Sequence, residues 1–127
     1  MAHPNIVGVT AIVGNTFSVA VGTSATQLAS NAASSGKVFK INSIFIANID
    51  GTAAADITVN IYSAAALGGT ALAIVSTISV PADASLIVTD KTTSFYLLED
   101  RSIGAIAGTT GDLVATISFE EITGPAP

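Results

Sequence analysis

The sequence lacks cysteine and tryptophan altogether, and it holds one histidine and only four basic residues. Without cysteine, neither a disulfide framework nor thiolate chemistry is possible. The basic residues are Lys37, Lys40, Lys91 and Arg101, and the net charge is −5. Binding to a phosphate backbone needs a field of lysine and arginine, so we expect no nucleic-acid partner.

Charge of either sign is scarce, at 10% of residues, whereas an average globular protein carries about 25%. Half of the residues are hydrophobic, which excludes a disordered chain. Long apolar runs are also missing, because Gly68, Gly69 and Thr70 interrupt the most apolar window, Ala64–Val75. A spanning helix needs about 18 consecutive apolar residues, so we expect no membrane partner.

Alternation of apolar and polar residues recurs along most of the 127 residues, and no stripe of helical period is present. Many short strands at this spacing predict an all-β fold: a single-domain antiparallel β-sandwich, jelly-roll-like or Ig-like, with about eight strands. The predicted segments are Val7–Val21 with a break near Gly14–Asn15, Ala25–Ser30, Lys37–Ile49, Asp56–Ser63, Ala71–Val80, Ser85–Thr89, Ser94–Leu98, Arg101–Ala107 and Leu113–Ile122.

Several local details accompany these strands. A bulge near Asn42–Ser43 would bring the apolar residues of the third segment to one side. Ala64–Ala66 could add a helical turn, and Leu72, Ile74, Ile78 and Val80 are expected to face inward. We divide the chain into residues 1–14 as an N-terminal arm or first strand, residues 15–122 as the sandwich, and residues 123–127 as a loose tail.

Nucleophilic catalysis finds little support among the residues. His3 lies in the predicted arm, whereas a catalytic base must be held by a rigid scaffold. The spacing of Ser34-Ser35-Gly36-Lys37 matches the S-x-x-K motif of some acyl transferases, but that motif lies on a helix and here it leads into a strand. We therefore expect a turn followed by a solvated lysine.

The sequence gives equally little support for a metal site or for catalysis by paired carboxylates. Asn48, Asp50 and Gly51 resemble only the start of a calcium loop, so an Asp-Gly turn is the expected structure. The pairs Glu99-Asp100 and Glu120-Glu121 are adjacent, and neighbours on a strand point to opposite faces. We expect no enzyme, no metal, no cofactor and no small-molecule substrate.

The uncharged faces of the strands instead indicate an assembly component. No charged residue precedes Lys37 in Val7–Lys37, and Gly51–Tyr62 contains only Asp56. Small threonine, serine, alanine and asparagine side chains lose little rotamer entropy when another subunit covers them. The alternative is a monomer with an unusually uncharged surface. The candidate partner contacts are Ile6, Val7, Val9, Ile12, Tyr62 and Tyr96, of which the first four belong to the predicted arm.

The two tyrosines leave a second class of function open. Tyr62 and Tyr96 fall beside buried positions and are expected to be exposed, where they could form a sugar-binding platform. A glycan-binding β-sandwich module is therefore the alternative from another class.

Three stretches carry a resemblance to a known family: KVFKINSIFIANIDGTAAADITVNIYS, TISVPADASLIVTDKTTSFYLLEDRSI and LVATISFEEI. In their pattern of strands and turns, these stretches resemble small virion structural proteins of marine tailed phages, including cyanophages, and the resemblance extends over roughly Val13–Ile122. The region Ala64–Ala73 departs from it, because it is richer in alanine and glycine than expected of a loop that grips a partner.

The resemblance implies a structural protein without cofactor or catalytic residues. A capsid decoration (cement) protein on the phage head is the leading hypothesis, with copies of itself (a trimer being one form) and the major capsid protein as partners. A tail, neck or fibre component is the alternative within the same virion. The implied location is the virion, most simply the capsid surface, after assembly in the host cytoplasm.

Overall fold

The structure is a computed structural model that describes residues 6–125 of the chain. Strands account for most of this range. The helical structure within residues 6–125 consists of two short 3-10 turns, Ile6–Gly8 and Lys91–Thr93. The strands are β1 (Ala11–Ala20), β2 (Thr26–Asn31), β3 (Lys37–Asn48), β4 (Ala55–Ala64), β5 (Gly68–Val80), β6 (Ser85–Thr89), β7 (Phe95–Leu97), β8 (Arg101–Ala107) and β9 (Leu113–Thr123). Within residues 6–125, no helix has the length and apolarity to cross a membrane.

These strands form two antiparallel sheets. Sheet A has the order β1-β9-β3-β6, with β7 also paired to β3, and sheet B has the order β2-β8-β4-β5. The chain passes from one sheet to the other at most of its connections, so most neighbours within a sheet are distant in sequence, with consecutive β4 and β5 as the exception. The predicted all-β, single-domain sandwich is therefore confirmed.

The core lies between the sheets and is built from the alternating apolar positions. Ile41, Ile44 and Ile46 of β3 face Ile57 and Ile103 of sheet B, and all five are fully buried. The register of β3 against β9 shifts between Ile41 and Ser43, which confirms the predicted bulge and explains how both halves of β3 face inward. At one end of the core, the rings of Phe39 and Phe119 stack with centroids 5.1 Å apart.

Two buried asparagines connect the sheets at opposite ends of the sandwich. Asn31, at the end of β2, donates from Nδ2 to the carbonyl oxygens of Lys37 (2.9 Å) and Leu97 (3.1 Å). Asn48, at the end of β3, donates from Nδ2 to the carbonyl oxygens of Ala53 and Val80, each at 2.9 Å. Each side chain therefore replaces ladder hydrogen bonds at a place where strands of different sheets end together.

Three local predictions were wrong. β1 is continuous through Gly14–Asn15, because all ten of its residues pair with β9 in one register. Residues 65–67 form a turn, not a helical one, with Ala66 and Leu67 both in the left-handed region (φ 55° and 61°). On β5, Leu72 and Ile78 remain exposed, because β5 is the edge of sheet B and sheet A does not cover it.

Candidate interaction surface

The free edge of sheet A is formed by β1. Ala11–Ala20 contains ten residues and no charge, and among the described residues this strand pairs with β9 alone. Val21, directly after β1, donates its N–H to the carbonyl oxygen of Leu113 at 2.9 Å, in line with the register. The odd-numbered residues are thus the hydrogen-bonded partners of β9, and the N–H and C=O groups of the even-numbered residues point away from it.

The other sheet edges carry features that discourage strand addition. β2 is only six residues long and has a register shift against β8 between Gln27 and Ala29. β5 has three register shifts against β4, and its Thr77 lies in the left-handed region. Between β6 and β7 the edge is interrupted by the 3-10 turn Lys91–Thr93. β1 is therefore the regular, unprotected edge of the described sandwich.

β1 also carries apolar side chains that the sandwich leaves uncovered. Val13 and Phe17 lie on the same face as the buried Ile117, because Phe17 is paired directly with Ile117. They are nevertheless 55% and 44% exposed. Sheet B ends at β2, which does not extend far enough to cover them.

The outer face of sheet A adds a second apolar patch, which we call the Phe45 patch. It consists of Phe45 and Ile87, which are paired across β3 and β6, together with the half-buried Ala47 and Val114 beside them. Phe45 is 39% and Ile87 66% exposed. Between this patch and the β1 edge, Ser18 and Thr116 form a hydroxyl–hydroxyl hydrogen bond of 2.8 Å. This part of the face is therefore flat, small in its side chains and uncharged.

Five of the six predicted contact residues keep some exposure. Ile6, Val7, Ile12 and Tyr96 are exposed and Val9 is half-buried, and their role as partner contacts stays a prediction. Tyr62 was expected to be exposed, and that expectation was wrong, since it is 7% exposed. It also lies on sheet B, whereas Tyr96 lies on sheet A, so the two tyrosines do not form one sugar-binding platform.

The burial of Tyr62 results from the β4–β5 turn, residues 65–67, which folds back over the outer face of sheet B. The N–H of Leu67 donates to Ser102 Oγ, and the N–H of Ala66 donates to Ser30 Oγ, each at 2.9 Å. The Leu67 side chain lies over Gly104 beside the Tyr62 ring. The polar side of β4, which the sequence suggested as a contact face, is in part covered by the chain itself.

The alanine-rich composition of this turn now has a structural reason. Asp100 accepts a hydrogen bond from the N–H of Ala65 at 3.0 Å, and Ser102 donates to the carbonyl oxygen of Ala64 at 2.7 Å. Small side chains let the backbone approach the sheet closely enough for these bonds. Residues 64–67 therefore pack on their own sheet in place of reaching outward.

Most of the residues considered for catalysis or metal binding instead make hydrogen bonds that stabilise turns and strand ends. Ser34, the serine of the S-x-x-K match, is exposed in the turn after β2 with φ 58°. Its neighbour Ser35 donates to Asn31 Oδ1 (2.6 Å) and accepts from the N–H of Lys37, whose ammonium pairs with Glu121 Oε1 at 3.0 Å. The Asn48 amide is occupied as described above, and its Oδ1 accepts from the N–H of Asp50. Within residues 6–125, no group of three or more His, Cys, Asp or Glu residues is placed to hold a metal ion. His3 lies outside the described residues.

Two aspartates, the half-buried Asp50 and the exposed Asp90, stabilise turns at the ends of strands. Hydrogen bonds from the backbone N–H and the hydroxyl of Thr52 lower the pKa of Asp50 below its usual value. The corresponding hydroxyl and N–H of Thr92 lower the pKa of Asp90, which caps the 3-10 turn Lys91–Thr93. Both carboxylates are therefore used in local turn geometry.

The acidic pair at the end of β9 separates as expected. Glu120 accepts a hydrogen bond from Asn42 Nδ2 at 3.2 Å on the outer face of sheet A. Glu121, on the opposite side, accepts from Asn15 Nδ2 at 2.6 Å and from Lys37. Beside Glu120 an open, shallow depression of about 500 Å³ is lined by Lys40, Asn42, Lys91, Ser94 and Glu120.

Comparison with known proteins gives a similarity of fold. No protein-family model matches the chain, and no curated protein matches it. Among solved structures, it is similar to a Bacillus endospore appendage protein, from a family described as forming disulfide-linked pili. The two share 20% sequence identity over 90% of this chain and 89% of that one, with a TM-score of 0.51. At this identity, what the two chains share is a β-rich fold.

Proposed function

We propose that this chain is a structural protein that acts by noncovalent self-association and by packing against other proteins. The observation that carries the proposal is the β1 edge, which is ten residues long, uncharged and free of bulges. A sheet edge of this kind presents unpaired N–H and C=O groups that another strand can satisfy. Monomeric β proteins normally protect such an edge with charge, proline or a bulge.

The fold similarity supports self-association in general terms. The appendage protein belongs to a family that assembles into pili held by disulfides. This chain has no cysteine, so its copies cannot be joined in that way. The β1 edge, through strand pairing, and the Phe45 patch, through apolar contact, are the surfaces whose noncovalent contacts would replace such links.

A role without catalysis is part of the same proposal. Lys37 and Asn48, which belong to the stretches nearest to a chemical motif, are engaged in hydrogen bonds with neighbouring side chains or with the backbone. Ser34, the serine of the S-x-x-K match, lies exposed in a turn with φ 58°. None of these bonds leaves a nucleophile beside a base.

The finer form of the proposal is a capsid decoration protein of a tailed phage. It rests on the sequence resemblance described above and on the strand order, β1-β9-β3-β6 against β2-β8-β4-β5. Two-sheet jelly-roll sandwiches are used by viral capsid domains, among other proteins. Many small junctions repeated over a shell would stiffen it against internal pressure.

The mass of the purified chain in solution tests the general proposal. Sedimentation equilibrium over a wide range of concentration should show a reversible oligomer, whereas a monomer at every concentration would refute it. Labelled antibodies on intact particles test the finer form. Label spread over the whole head supports decoration, and label confined to the tail or neck supports the alternative virion component.

A further inference from the structure

We propose that two copies of this chain pair through β1, antiparallel, about a two-fold axis that passes beside Asn15. This inference rests on the proposed self-association and names the surface that performs it. The partner is a second copy, because the strand is complementary to itself in its backbone groups, its side chains and its charge.

The backbone restricts the registers that are possible. The free N–H and C=O groups belong to the even-numbered residues, as the pairing of β1 with β9 requires. In an antiparallel pair of two β1 strands, even-numbered residues must therefore lie opposite even-numbered ones. The register centred on Asn15 meets this condition, because it places Gly14 opposite Thr16 and Ile12 opposite Ser18.

The side chains favour this register over the one centred on Thr16. It places Val13 of each copy opposite Phe17 of the other, and the two-fold axis makes this contact occur twice. Both of these exposed side chains on the inward face are covered in this way. Aromatic and β-branched residues directly opposite each other stabilise a strand pair. Centring on Thr16 would instead place Asn15 opposite Phe17.

The charge pattern suits self-pairing. A strand beside its own copy necessarily brings like charges together wherever it carries them, and Ala11–Ala20 carries none. The other long uncharged edge, β5, is interrupted by register shifts and by the left-handed Thr77. Pairing through β1 would join the two A sheets into one sheet, with the order β6-β3-β9-β1-β1-β9-β3-β6.

A single introduced cysteine tests the register, since the chain has none of its own. In the proposed pair, Asn15 faces its own copy as a non-hydrogen-bonded pair with Cα atoms about 4.5 Å apart, which is within disulfide range. Asn15→Cys should therefore form a covalent dimer on mild oxidation, with its fold checked by circular dichroism. Thr16→Cys and, on the β5 edge, Thr70→Cys should form little dimer.

A charge placed in β1 gives a test that does not depend on oxidation. Thr16→Lys brings like charges to the seam and should raise the dissociation constant of the oligomer by ~10-fold or more. Thr70→Lys, at a position on the β5 edge that is also exposed, should leave it unchanged.

The outcomes separate this inference from the proposed function. If the unmodified chain is monomeric at every concentration, both fail. If it forms an oligomer but Asn15→Cys cross-links no better than either cysteine control, or Thr16→Lys behaves like Thr70→Lys, pairing through β1 is refuted and self-association stands.

Discussion

At the scale of single residues, the buried asparagines show what a local pattern conceals. Asn31 opens the run NAASSG, which composition assigns to a loop, and Asn48 stands where a calcium loop would begin. Both are instead buried connectors, and their partners Leu97 and Val80 lie 66 and 32 residues away. No short window of sequence contains those partners, so their role becomes visible only in the fold.

Asn48→Ala should destabilise the protein by about 2–3 kcal/mol, because it leaves the buried carbonyl oxygen of Val80 without its hydrogen bond. Urea denaturation followed by circular dichroism measures this loss. Asn42→Ala is the matched control on the same strand, because Asn42 is half-buried on the outer face and bonds only the side chain of Glu120. It should lower the free energy of unfolding by less than about 1 kcal/mol. Equal effects would show that Asn48 does not connect the sheets.

The lowered pKa of Asp90 implies that the stability of the protein depends on pH. Its pKa is lowered in the folded state, so the folded protein favours the carboxylate, and the stabilisation is present above the unfolded pKa and lost as the pH falls through the folded one. The difference in Tm between the natural chain and Asp90→Ala should therefore be largest near neutral pH and shrink below pH 3.8. A difference that stays constant down to strongly acidic pH would contradict the role of the carboxylate.

At the scale of elements, the alternation of apolar residues located the strands well. The predicted segment Arg101–Ala107 matches β8, and the bulge predicted near Asn42–Ser43 coincides with the register shift between Ile41 and Ser43 of β3. The turn after β4 was harder to predict. Its conformation is decided by Ser30, Asp100 and Ser102, which belong to other parts of the chain.

Gly104 tests how that turn rests on sheet B. A Cβ at this position would lie 2.8 Å from Leu67 Cδ2 and 3.0 Å from Tyr62 Cε1, so Gly104→Ala should destabilise the protein by about 1–3 kcal/mol. In Leu67→Ala the nearest clash is absent, and adding Gly104→Ala to it should cost less than in the natural chain. Strictly additive losses in urea denaturation would show that the two residues do not touch.

At the scale of the whole molecule, charge is unevenly placed. The loops that follow β3, β5 and β8 carry Asp50, Asp83 and Asp112 at one end of the sandwich. The four basic residues all lie in the opposite half, where Lys37 pairs with Glu121. The β1 edge and the Phe45 patch carry no charge of their own, although Glu120 and Glu121 of the neighbouring β9 are paired with Gly14 and Val13 of β1.

Self-association through those uncharged surfaces should therefore respond weakly to salt. Raising the ionic strength to ~1 M screens exposed charges almost completely, yet the oligomer seen by sedimentation should persist or strengthen. An oligomer that dissociates in high salt would indicate that the charged ends of the molecule make the contacts.

Local patterns in the chain were sufficient to establish the class of the fold and the poverty of charge, because alternation along a strand is a property that each segment carries within itself. They also indicated that a bulge near Asn42–Ser43 brings the apolar residues of β3 to one side, since the alternation of side chains follows from the pleat. The folded arrangement was needed to show which strands became edges, that Tyr62 is enclosed by the β4–β5 turn, and that Val13 and Phe17 extend past β2. Edges and coverage depend on pairing between segments far apart in the chain, and no local period encodes that pairing.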